Sequence, residues 1–179
     1  MSERPIPSLD RHWKSPETEG AASAEQLAGF IEDDRLRRLF AYWCEKRAGR
    51  PMPSRADIDA TEIPWALSQI FLVDYAPESG FRYRLAGTME VETLGMDPTG
   101  HWLDDIHDAF RTRPDIASRY RAAVETGRAT YRFGRVAFVH HREHRFVQNM
   151  ILPFAADGVT VNLLMILSIM YHSDGVEVK

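Results

Sequence analysis

A single cysteine, Cys44, is all the thiol this chain of 179 residues carries. Neither a disulfide framework nor a thiolate metal cluster can be built within one chain, which fits a reducing cytoplasm. Long apolar runs are equally scarce. The most apolar stretch, Val159 to Tyr171, contains Thr160, Asn162 and Ser168 and falls short of the roughly 20 residues that cross a bilayer. It reads as a buried strand, and no membrane contact is expected. Met1 to Gly20 holds charges and prolines but no apolar core of the kind a signal peptide requires, so residues 1–22 read as a disordered tail. Charge of one sign is never massed either. The 22 basic and 26 acidic residues leave a formal charge of −4, with arginines interleaved among Asp and Glu, and nucleic acid is not an expected partner.

What is present is a 44% hydrophobic content, enough for the core of one domain and leaving no room for a second, catalytic one. Ser23 and Gln26 resemble a capping box, followed by Leu27, Phe30 and Ile31 on one helical face. Asp33 or Asp34 then caps an amphipathic helix in which Leu36, Leu39, Phe40 and Trp43 recur at helical spacing up to Gly49 and Pro51. Residues 23–50 thus form an N-terminal helical region. Pro51, Pro53 and Pro64 make an irregular linker, from which Trp65 and Leu67 are predicted to lay one helical turn on the core.

Ile70 to Tyr75 and Phe81 to Ala86 read as a β-hairpin reversed by Ala76-Pro77-Glu78-Ser79-Gly80. Phe81, Tyr83 and Leu85 are expected to face inward and Arg82 and Arg84 outward, at a sheet edge that the arginines protect. Gly87 to Phe110 is cut into short helical pieces. Pro114 opens a regular helix whose face Ile116, Tyr120, Ala123 and Val124 stops at Gly127. Three long strands follow, Ala129 to Val139, Arg145 to Pro153 and Val159 to Tyr171, reversed at His140 to His144 and at Asp157-Gly158. The last is apolar at both parities, with Val161, Leu163, Met165 and Leu167 on one face and Leu164, Ile166 and Met170 on the other, so both of its faces need cover. The order implies an α+β fold, an antiparallel sheet with helices on at least one face.

At this point the chain resembles the PAS superfamily, in particular a bacterial family in which one PAS-like domain makes up nearly the whole protein. The resemblance is carried by Tyr42-Trp43 to Arg50, by Pro53-Ser54-Arg55-Ala56-Asp57-Ile58-Asp59, by Phe81-Arg82-Tyr83-Arg84-Leu85-Ala86-Gly87-Thr88 and by Leu94-Gly95-Met96-Asp97-Pro98-Thr99-Gly100. It implies a five-stranded antiparallel sheet over residues 51–173, with short helices and one longer helix enclosing a cavity on the inner face, the amphipathic N-terminal helix on the outer face, and a tail at 174–179. It further implies a sensor that binds haem, flavin, a small metabolite or nothing, and signals in trans through a homodimer or a protein partner.

Trp102, Phe110, Tyr120, Phe133, Asn149, Met150 and Met165 are the candidate pocket residues, although core packing alone explains large side chains of this kind. The amides Gln148, Asn149 and Asn162 interrupt apolar strands, and a buried amide needs a partner; parity does not say which one points in. Leu36, Leu39, Phe40 and Trp43 are the candidate dimer or partner interface. No metal site is expected: His140, His141 and His144 read as an exposed turn. Haem would need an axial ligand such as His101 or His107, neither in a ligand motif, and flavin photochemistry would need a cysteine in the longer helix, whereas Cys44 lies far upstream.

No catalytic residue is assigned. The rival class is a small cone-shaped α+β enzyme, an isomerase or hydratase, with Asp97, His101, Asp104, Asp105 or His107 as acid and base. A strongly shifted carboxyl inside an enclosed cavity would favour the enzyme, and the absence of any buried acid the binding module.

Overall fold

The computed structural model describes residues 24–107, 110, 114–135, 144–172 and 176–177. The chain opens with α1 (Ala24–Phe30) and α2 (Asp34–Arg47). Asp33 caps α2 by accepting from the Arg35 amide at 2.8 Å, while Asp34 in the first turn and Lys46 and Arg47 in the last complement the helix dipole. Ala48 ends it in the left-handed region at φ 47°. Three single 3-10 turns, Arg55–Asp57, Ala60–Glu62 and Leu67–Gln69, lead into the hairpin β1 (Ile70–Ala76) and β2 (Gly80–Ala86). Then come α3 (Thr88–Leu94), α4 (Leu103–Ile106), α5 (Pro114–Thr126) and the strands β3 (Thr130–Arg135), β4 (His144–Phe154) and β5 (Leu163–His172).

All five strands join one antiparallel sheet in the order β2-β1-β5-β4-β3. The expected α+β fold is therefore the observed one. β5 lies at the centre, and its residues from Leu163 to Ile169 are buried at both parities. That is the signature of a strand covered on two faces. On one face, called outer here, α2 packs against β4, and Trp43 Nε1 donates to the Pro153 carbonyl at 2.9 Å. On the other, the inner face, α5 packs against β4 and α3 against the Leu67–Gln69 turn. Strand parity assigns the side chains: Phe71, Asn149, Ile151, Ile166 and Ser168 face inward, and Tyr131, Gln148, Met150, Leu152, Met165 and Leu167 outward. Among the described residues no helix is long and apolar enough to cross a membrane.

Several expectations need correction. Phe30 and Leu67, placed on apolar faces from spacing, are 51% and 40% exposed, because the buried positions of their turns go to Leu27, Ile31, Ala66 and Gln69. Leu85 is exposed as well: the register shifts between Leu72 and Val73, and this bulge ends the simple alternation of the hairpin near Leu85. β2 does end the sheet, yet its free side is not bare. Tyr83 donates to the His101 carbonyl at 2.9 Å and accepts from Gly100 at 2.7 Å. The Asp157-Gly158 reversal is not a two-residue hairpin turn. Ala155 to Asn162 form a wider loop in which Asp157 Oδ1 accepts from the amides of Val159 and Thr160 at 2.9 and 2.7 Å, so the strand starts at Leu163 and Val159 is exposed. His144 belongs to β4 instead of the turn. The tail expected at residues 174–179 folds back in part: His172 donates to the Val176 carbonyl at 2.8 Å and Arg35 pairs with Glu177 at 2.6 Å. The disordered tail expected at 1–22, and His140 and His141, lie outside the described residues.

Candidate functional site

The inner face begins with a close approach that only glycine allows. Gly87 donates to the Ile70 carbonyl at 2.8 Å, and a Cβ at Gly87 would stand 2.4 Å from the carbonyl oxygens of Leu67 and Ser68. Without that Cβ, α3 starts directly against the sheet. Glu90 and Leu94, four residues apart, then share its buried side. On α5, Ile116, Arg119, Tyr120 and Ala123 share the buried side in the same way. Arg119 is thus a cation in the apolar stripe of its helix.

Below these helices a polar row crosses three strands. Arg132 on β3 is the register partner of Asn149 on β4, and Asn149 that of Ser168 on β5. Asn149 Nδ2 donates to Ser168 Oγ at 3.1 Å, and Arg119 Nη1 donates to Asn149 Oδ1 at 2.9 Å from above. Arg119 Nη2 also reaches Thr130 Oγ1 at 3.4 Å. The helix is therefore tied to the sheet through its guanidinium and an amide.

Between them lies a cavity of about 60 Å³ lined by Phe71, Glu90, Leu94, Ile116 and Ile166, by Tyr83, His107 and Tyr120, and by Arg119, Arg132, Asn149 and Ser168, with Val147 and Met170 at its far end. Glu90, Arg119, Arg132, His107 and Ser168 are all buried. Burial pushes the Glu90 carboxyl well above its ordinary 4.5, which favours the neutral acid, a group with one hydrogen to donate. Among the described residues no group hydrogen-bonds that carboxyl. The Tyr83 hydroxyl and His107 Nε2 lie 2.8 Å apart. Burial, then the neighbouring Tyr120 and Glu90, push the Tyr83 phenol well above 10. Burial likewise pushes Tyr120 up to about 12, against the opposing pull of Arg119.

The seven pocket candidates do not converge. Tyr120 and Asn149 line the cavity. Phe110 is buried beside them, its ring edge-on to Phe81 and Tyr120 at 5.6 and 5.2 Å, and lines a separate cleft together with Tyr75, Phe81, Asp104 and Val124. Trp102 lies outside, on the free side of β2, with the Arg82 guanidinium 5.7 Å from its ring centre. Phe133, Met150 and Met165 are one residue out of phase with the cavity and belong to the outer face, because strand side chains alternate. Leu36, Leu39, Phe40 and Trp43, the interface candidates, are 0–4% exposed. They pack on the chain's own sheet, and a second subunit would have to meet other residues.

Of the three amides, Asn149 points inward, Gln148 outward, and Asn162 holds the loop by accepting from the Ala156 amide at 3.1 Å. Gln148 is the hub of the outer face, its Oε1 accepting from Tyr131 and from the Asp33 amide at 2.9 and 3.1 Å, and its Nε2 donating to Tyr171 at 2.9 Å. Cys44 sits half-buried on α2, on the far side of the sheet from the cavity. Among the described residues no three His, Cys, Asp or Glu side chains converge to hold a metal ion. The cavity is several-fold below the roughly 300 Å³ at which sites for drug-sized ligands begin, so a haem or flavin would require its walls to move apart.

Asp97, His101, Asp104 and Asp105 are exposed, and only His107 of the acid and base candidates reaches the cavity. The buried acid at the cavity is Glu90, which sequence reasoning passed over together with Arg119 and Arg132. The signal was present for two of them: Glu90 precedes Leu94 by one helical turn, and Arg119 falls between Ile116, Tyr120 and Ala123 on an apolar stripe. Arg132 carried none, since either parity of β3 can face a core.

The structure is an α+β module with a cavity between one face of an antiparallel sheet and a layer of short helices. A PAS domain family model matches residues 31–167, and the chain belongs to the PAS domain family. No curated protein matches it.

Proposed function

We propose that the chain is a PAS sensor module that takes a small ligand into the inner cavity and passes the event to the N-terminal helices on the outer face. The cavity itself carries this reading: hydrogen-bonding groups from α3, α5, β2, β3, β4 and β5 converge on one space in an otherwise apolar interior, which is how a small-molecule site differs from plain core. A route outward exists in the backbone. Asn149 and Gln148 are neighbours on β4, one in the cavity wall and the other holding Asp33 at the start of α2, so a displacement of β4 acts on both faces at once. The output is then a change in how the N-terminal unit meets a second copy of the chain or another protein. Native mass spectrometry of freshly purified protein tests this by reporting retained small molecules and subunit number together. A retained or added ligand that changes hydrogen exchange in α1 and α2 supports the sensor, and ligand binding with no effect there counts against it.

A second reading is favoured by Glu90. A carboxyl whose pKa is raised by burial in a part-enclosed site is the general acid of many small enzymes. Family membership weighs toward binding without turnover. Glu90→Gln separates the two: the sensor keeps its ligand affinity within a few-fold, whereas an enzyme loses conversion of the same ligand.

A further inference from the structure

We infer that the cavity is built for a small carboxylate with a short aliphatic body, its negative end held by Arg119 and Arg132; this rests on the sensor reading and names the class of ligand. Three observations converge on it. Both guanidiniums line the cavity, Arg119 from α5 and Arg132 from β3, and both are buried, at 4% and 7% exposure. Buried guanidinium is the group that recognises planar carboxylate with paired hydrogen bonds. The only acid among the described residues lining the space is Glu90, and its burial favours the neutral form, which repels an incoming anion less than a carboxylate does.

The second observation is the polar row. Asn149 accepts from Arg119 and donates to Ser168, fixing the guanidinium in its plane before any ligand arrives, and a pre-ordered donor loses less freedom on binding. The third is the division of the lining. Arg132, Asn149 and Ser168 form one polar strip across the sheet, while Phe71, Leu94, Ile116 and Ile166 supply an apolar remainder. A charged head with a hydrocarbon body matches both parts, and an inorganic oxyanion matches only the first. The size sets the length: about 60 Å³ is the space of roughly four waters, which limits the ligand to a few heavy atoms.

The test uses the full chain, with calorimetric titration of acetate, propionate, butyrate and pyruvate, of propionamide as the neutral isostere of propionate, and of inorganic phosphate. The expected result is saturable binding of one or more of the carboxylates, at least about ten-fold tighter than propionamide and phosphate, with Arg132→Gln weakening it about ten-fold or more. If Arg132→Gln does not fold, Asn149→Asp gives the same reading, since it sets a fixed carboxylate beside Arg119 and is expected to exclude the ligand anion. Propionamide binding as well as propionate, or a neutral molecule retained in native mass spectra, overturns the carboxylate assignment and leaves the sensor reading standing. No binding of any probe, with no retained molecule in native spectra, overturns both. Binding of phosphate alone overturns the aliphatic part and keeps the anion site.

Discussion

Glu90 shows most directly what burial does to a single group. Its carboxyl is pushed above 4.5 in the fold by desolvation, whereas in the unfolded chain it titrates normally. The proton therefore favours the folded state: the contribution is complete below pH 4.5 and is lost as pH rises toward the folded value. Stability should fall by about 1.4 kcal/mol per pH unit across that window from this group alone. Urea denaturation of Glu90→Gln between pH 4 and 7 is expected to show a flatter profile and a gain over the parent that grows with pH; an unchanged slope would mean that Glu90 is hydrated in the fold. Gly87 is a residue of the opposite kind, chosen for what it lacks. Since a Cβ there would stand 2.4 Å from two carbonyl oxygens, Gly87→Ala should destabilise by about 1–3 kcal/mol or more through backbone displacement. Chemical denaturation measures the loss, and the inner cavity should suffer with it because α3 carries Glu90.

At the scale of elements, the junction between α1 and α2 is held by Asp33. Burial raises its carboxyl, but the Arg35 side chain and the amides of Arg35 and Leu36 outweigh this and bring it below 3.8. The sign is the reverse of that of Glu90: the contribution is present above pH 3.8 and disappears as pH falls through the folded value. Asp33→Ala removes a cap and an ion pair together and should cost about 1–2 kcal/mol, whereas Asp33→Asn keeps a capping oxygen and should cost less; equal losses would show that the Arg35 pair and not the cap dominates. Further along α2, Trp43 both fills the outer layer and donates to Pro153. Trp43→Phe should cost about 1–3 kcal/mol from the carbonyl left without its donor, read from denaturation midpoints. Periodicity made α2 and α5 legible, because each buries a stripe that recurs at 3.6 residues. It misplaced Phe30 and Leu67, since a stripe says which side is apolar and not how far the neighbouring layer extends, and strand alternation misplaced Leu85 because of the bulge between Leu72 and Val73.

For the whole molecule, the sheet is a shared wall between two differently built sides, a cavity with a polar strip in an apolar lining within and an apolar layer with an amide hub without. Gln148 joins the hub to α2 through the Asp33 amide, to β3 through Tyr131 and to β5 through Tyr171. Gln148→Leu should leave the inner cavity and its ligand affinity intact while raising hydrogen exchange at the start of α2; a change in affinity with no change in exchange would place the coupling elsewhere. The sequence by itself determined the element order, the double cover of β5 and the family, because these follow from periodicity, from turn residues and from motifs that are local in the chain. Only the tertiary structure decided which residues make a site. Glu90, Arg119, Arg132, Asn149 and Ser168 are spread over 79 positions, from 90 to 168 inclusive, and what brings them together is strand register and helix docking, neither of which is recorded in the neighbours of any one residue. A one-residue slip of β4 would have presented Gln148 to the cavity and Asn149 to α2, and nothing local to that pair of amides distinguishes the two outcomes.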